Sequence, residues 1–145
     1  MSETEELLTF IYHNTEMGKK SSKKLLSLIK EKDNKIKFLL EEEMQKYDEL
    51  YKKCKKLMKK EKIETPSSKI LANLTGNVAM SMEVGKDNSD SKIASILIRG
   101  FNMGNIDIEA KIKDFKKEAK DNAIELANDL LKFGEKQIKL LKEYL

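Results

Sequence analysis

Tryptophan is absent from this 145-residue chain, and cysteine, proline, histidine and arginine occur once each. Each shortage excludes a class of chemistry. A lone cysteine, Cys54, can neither close an internal disulfide nor build a thiolate metal cluster, and it fits a reducing compartment. The single proline, Pro66, leaves long stretches with nothing to break a helix. One histidine, His13, cannot furnish the two imidazoles that a bundle di-iron site takes. Arginine reads phosphate and guanine with two parallel bonds, whereas lysine acts as a point charge; with Arg99 set against 28 lysines, sequence-specific nucleic-acid reading is not expected.

Long apolar runs are missing too. The longest is a handful of residues around Ile96 to Ile98, far short of the roughly 20 that a membrane span takes, so a soluble chain without a membrane segment is expected. The acidic start "MSETEELLTF" lacks the basic region and apolar core of a secretory signal, and a cytoplasmic location is expected. No phosphate-cradling glycine loop, nucleophile elbow or zinc spacing is present.

What the chain does have is charge in abundance, 37% of residues, on a hydrophobic content of 39% with no extended glycine or proline stretch. That is the composition of long helices with charged outer faces. Apolar residues recur at three and four over 3–30, on Leu7, Leu8, Ile11, Leu25 and Ile29, with Ser2 or Thr4 as cap. After "EKDN", where Asp33 or Asn34 can cap, a second helix runs to about Ile63. "ETPSS" marks a middle turn, and a third helix is expected over 67–86 on Leu71, Leu74, Val78 and Met82. "GKDNSDS" ends it. An extra short helix around 90–103 then carries Ile93, Ile96 and Leu97, and the two glycines of "RGFNMGN" predict a kink or break before a fourth long helix over 106–144. The expected fold is all-α: one domain over 1–145, built as an up-down-up-down antiparallel four-helix bundle.

The stretch "IYHNTEMG" poses the question of a metal site, because His13 and Glu16 are three apart. At about 100° per residue His13 falls opposite the apolar stripe of its helix, facing water, and Glu16 lies off the stripe as well. No metal ligand is expected there. Nor do Glu83 and Asp87, read as exposed on the third helix, supply carboxylates.

Glu43 is the residue that does not fit. It lies inside the stripe Ile36, Leu40, Tyr47, Leu50, Cys54 and Leu57, and a buried carboxylate without partners costs several kcal/mol or takes up a proton. The facing part of the first helix carries Gly18, Ser21 and Ser22, and Ala119, Asn122 and Ala123 are expected at a similar level. Two readings stand. In one, Asn14, Ser22, Glu43, Tyr47 and Asn122 line a small pocket. In the other, Tyr47 fills the space left by small neighbours, with Glu43 bonded to Tyr47 or a serine. Gln137 is expected as a satisfied core amide.

"YKKCKKLMKKEK" sets seven lysines against one acid over 51–62. The block Lys52 to Lys62 could bind a polyanion weakly by charge alone, or simply complement the helix dipole while its stems cover apolar flanks. Cys54, inside the stripe, reads as a small core residue. Phe38 points away from its stripe, and Ile124, Leu131 and Ile138 form an apolar shoulder, which together suggest a homodimer or another protein partner.

Two long hairpins with "YHNTEMG" in the first and "IRGFNMG" before the last resemble small bacterial proteins of the ferritin-like kind. The resemblance implies a helical bundle; such proteins commonly hold two metals with inward Glu and His residues, and this sequence departs at every such position. No cofactor is therefore expected. The function read from the sequence is a metal-free, non-catalytic binding or assembly module. The alternatives are a small-ligand sensor or enzyme built on a polar pocket around Glu43, and a weak polyanion binder.

Overall fold

A computed structural model describes residues 2–66 and 84–145, and among these the regular structure is helix alone. Four long helices account for it: α1 (Glu3–Leu28), α2 (Lys37–Lys60), α3 (Asp90–Phe115) and α4 (Asp121–Lys142). The third helix expected over 67–86 lies outside the described residues except for a helical turn at 84–86.

Local rules set the ends of α1 and α2. The Ser2 hydroxyl accepts from the Glu5 N–H at 3.1 Å, and Glu3, Glu5 and Glu6 place negative charge at the positive end of the α1 dipole. At the end of α2, Lys62 takes a left-handed φ of 57°, its N–H reaches the Lys59 carbonyl, and the Ile63 N–H reaches the Met58 carbonyl at 2.8 Å. This double closure usually has glycine at the left-handed position.

Two expectations about the second half are corrected. The glycines of "RGFNMGN" do not break the helix, and the short helix around 90–103 is the first half of a 26-residue α3 that runs through both. About 1 kcal/mol lost at each glycine is outweighed by one buried face, Ile93, Ala94, Leu97, Phe101 and Ile108. The break falls instead at 116–120, where the Glu118 and Ala119 N–H groups both turn back to the Phe115 carbonyl. The fourth long helix therefore starts at Asp121 rather than at 106.

Cross-helix bonds give the directions. Ser22 meets Glu43, Tyr12 meets Tyr51, and Cys54 donates to the Leu8 carbonyl, so α1 and α2 are antiparallel. Phe101 packs on Phe133 beyond the 116–120 turn, so α3 and α4 are antiparallel. The starts of α2 and α3 meet at one end through Asn34 and Asp90, while Glu61, Lys120 and Thr4 meet at the other. α2 and α3 thus run the same way, and the third helix of the expected up-down-up-down bundle lies between them in the sequence, outside the described residues. Buried apolar residues of all four helices form a shared core, from Leu7 and Leu8 through Leu40 and Leu50 to Ile93, Leu126 and Leu141.

Neither α2 nor α4 is capped by its own side chain. Each borrows an acceptor from another helix. Asp90, the first residue of α3, accepts from the Lys35 N–H at 3.1 Å and the Ile36 N–H at 3.4 Å, and also binds the Asn34 amide at 2.9 Å. The Thr4 hydroxyl of α1 accepts from the Lys120 N–H at 3.0 Å. Asn34, expected to cap α2, instead ties that end to the Asn88 carbonyl and to Asp90. Because the bonds of Asp90 also join the two hairpins, Asp90→Ala is expected to cost about 1–2 kcal/mol in urea unfolding. An unchanged midpoint would show that the contact contributes nothing.

Candidate functional site

Glu43 occupies the middle of the buried face of α2, flanked by Leu39, Leu40, Tyr47 and Leu50, and is 1% exposed. The helical period that buries those neighbours buries it too. Across the seam Ser22 of α1 donates its hydroxyl to Glu43 Oε2 at 2.8 Å. The other oxygen, Oε1, has neither solvent nor a hydrogen-bond partner among the described residues. Burial raises the carboxyl pKa from 4.5 to about 7, against the smaller downward pull of the Ser22 bond.

Glu43 lines a cleft of about 240 Å³. Asn14, Met17, Gly18, Ser21 and Ser22 come from α1, Glu43 and Tyr47 from α2, and Ile96, Leu97, Gly100 and Phe101 from α3. Beyond the Tyr47 ring, a space of about 30 Å³ near Asn14, Asn105 and Gly134 has room for roughly one water.

Tyr47 forms the floor. Its ring lies so close to Gly18 that a Cβ there would overlap the ring, which is why the narrowest residue faces it. It stacks on Phe101 with centroids 6.0 Å apart and planes 7° apart, and meets Phe133 edge-on at 5.0 Å and 88°. Phe101 and Phe133 are themselves edge-on at 5.7 Å. One aromatic cluster therefore joins α2, α3 and α4 beneath the cleft, in geometries that aromatic quadrupoles favour. Burial, then the charge of Glu43, pushes the Tyr47 hydroxyl well above its ordinary pKa, so it stays protonated.

Of the five residues expected around a pocket, Asn14, Ser22, Glu43 and Tyr47 share this cleft and Asn122 does not. Counting α4 from 106 put Asn122 at the level of Glu43; the turn at 116–120 places it in the first turn of α4, at the Thr4 and Glu61 end, half-buried with an unpartnered Oδ1. The α3 wall of Ile96, Leu97, Gly100 and Phe101 was missed. Its signal was present in the spacing Ile93, Leu97, Phe101 and Ile108, which runs unbroken across the glycines.

His13 is half-buried rather than turned to water, with Nδ1 enclosed and unpartnered and its ring 6.0 Å from Tyr12. α1 is covered by α2, α3 and α4 in turn, so more than one stripe is sheltered. Glu16 pairs with Lys20 at 3.1 Å. Asp87 stands exposed in the turn before α3, where its carboxylate accepts from the Ser89 N–H, and Glu83 lies outside the described residues. Among the described residues no group of three or more His, Cys, Asp or Glu side chains could hold a metal ion. Gln137 is buried, but its Oε1 has no hydrogen-bond partner among the described residues, where a satisfied amide was expected.

The lysine block of α2 is partly neutralised. Lys52 pairs with Asp48 at 2.9 Å, Lys53 with Glu49 at 3.6 Å, and Lys55 lies over the Tyr51 ring at 5.3 Å. Cys54 is buried, donates to the Leu8 carbonyl at 3.2 Å, and has its thiol pushed up to about 12 by burial, which keeps it an inert core group. Phe38 is 69% exposed, while Ile124, Leu131 and Ile138, expected as an open shoulder, are half-buried against the core. No helix among the described residues is long and apolar enough to cross a membrane. Set against protein-family models, curated proteins and solved structures, the chain finds no match in any of the three.

Proposed function

We propose that the chain is a four-helix bundle serving as a non-catalytic binding module, and that its site is the cleft at Glu43. The observation that carries this is a carboxyl group, 1% exposed, on the wall of a cleft of about 240 Å³, with one oxygen held by Ser22 and the other unpartnered. Burying a polar atom without a partner costs about 1–3 kcal/mol, a cost that a ligand bonded to it removes. The site is fitted for recognition rather than reaction. Glu43 is the one acid on its walls among the described residues, Ser22 points its proton at that acid, and the Tyr47 hydroxyl stays protonated.

Gly100 provides the test. Gly100 lines the cleft and a Cβ built on it meets nothing within 4 Å, so Gly100→Leu adds a side chain at the cleft wall, where it is expected to obstruct the site. The variant is expected to unfold at or above the wild-type midpoint, since leucine replaces glycine inside a helix. A small-fragment screen by NMR is expected to shift the amide signals of Ser22, Gly100 and Phe101 in the wild type and to leave the Gly100→Leu spectrum unchanged. Fragments that shift both proteins alike would place the binding elsewhere.

A further inference from the structure

Resting on that reading of the cleft, we infer that its ligand is a small organic cation, a compact ammonium carried on an apolar body. Three observations select this class. Glu43 Oε1 is a buried acceptor with no partner among the described residues, while Oε2 is already taken by Ser22, so one acceptor position of the group is unfilled. Among the described residues no lysine, arginine or histidine lines the cleft, so none of them gives Glu43 a counter-ion there. A buried ionised carboxylate is strongly disfavoured unless paired, and an ammonium supplies both the missing charge and a charge-assisted bond about twice as strong as a neutral one. The remaining walls, Met17, Ile96 and Leu97 with the Tyr47 and Phe101 rings, suit an alkyl body and place aromatic groups where a cation gains from them. Anions are repelled by Glu43. A volume of about 240 Å³ admits roughly eight non-hydrogen atoms.

The probes are butylammonium, butan-1-ol and butyrate, nearly equal in shape and differing in charge. They are titrated by NMR into the full chain at about pH 8.5, where Glu43 is ionised and butylammonium keeps its proton. Butylammonium is expected to shift the Ser22, Gly100 and Phe101 signals, with butan-1-ol at least about tenfold weaker and butyrate without effect. Glu43→Gln, which keeps shape and loses charge, is expected to bring butylammonium down to the level of butan-1-ol. Gly100→Leu is expected to abolish both. Glu43 and Tyr47 are the titratable groups on the walls from any of the three helices. Lowering the pH to about 5.5 should therefore weaken butylammonium at least tenfold in the wild type and leave Glu43→Gln unaffected. Equal binding of butan-1-ol and butylammonium, or butylammonium binding that Glu43→Gln does not weaken, would overturn the cation inference while leaving the cleft as a binding site. If none of the three probes moves the cleft signals, the cleft reading fails and the inference with it.

Discussion

Tyr47→Ala is expected to lower the unfolding free energy by about 3–5 kcal/mol, the largest loss of any single truncation near the cleft. The ring stacks on Phe101, meets Phe133 edge-on and presses against Gly18, so one side chain joins all four helices. Its neighbours cannot close the gap. Gly18, Ser21, Ser22 and Gly100 carry little or no side chain to move inward, and the space left would merge with the cleft. The loss belongs at the upper end for an aromatic truncation, because its size follows the cavity that remains. Tyr47→Phe separates packing from polarity. It keeps the ring contacts with Phe101 and Phe133 and removes only the hydroxyl, so this variant is expected within about 1 kcal/mol of the wild type in urea unfolding. Similar losses for both variants would show that the hydroxyl, not the ring, holds the floor.

The second large effect is a pH dependence set by Glu43. Its pKa is about 7 in the folded chain against 4.5 for the ordinary group, so between these values the folded state holds a proton that the unfolded state has released. Stability from this source is fully present below about pH 4.5, falls as pH rises through 7, and is gone above it. At 1.36 kcal/mol per unit of pKa the whole effect is about 3 kcal/mol, with the wild type weaker at high pH. Glu43→Gln keeps the amide-sized side chain without the ionisation. The difference in stability between wild type and Glu43→Gln is therefore expected to grow by about 3 kcal/mol in favour of the glutamine variant between about pH 5 and pH 9. A constant difference would mean that the carboxylate ionises as freely in the folded chain as in the unfolded one.

How far the sequence reaches is clear from particular residues. Glu43 was legible because a charge inside an apolar stripe contradicts the helical period that places it there, and the small residues facing it on α1 follow from antiparallel pairing alone. Asn122 was misplaced because local signals pointed to the wrong break. "RGFNMGN" carries two glycines yet stays helical, since the buried face of α3 runs through it. The actual turn, "KKEAK" at 116–120, is made of good helix formers and offers no cue. Borrowed caps are equally silent in sequence. Asp90 stands more than fifty positions from the N–H groups it accepts, and Thr4 more than a hundred from Lys120. The common direction of α2 and α3 is a tertiary outcome of the same kind, fixed by the meeting of Asn34 and Asp90. His13 shows the limit of single-stripe reasoning, since a helix touched by three others is sheltered well beyond its apolar face.

The whole account rests on Glu43 being an enclosed carboxyl at the cleft wall with one oxygen left unpartnered. Its side-chain carboxyl carbon, followed by ¹³C NMR across pH in the ligand-free chain, reports this directly. A titration midpoint near 7 is expected, moving below 6 when butylammonium is added. A midpoint near 4.5, unmoved by the probe, would show a solvated or internally paired carboxylate and would contradict the site.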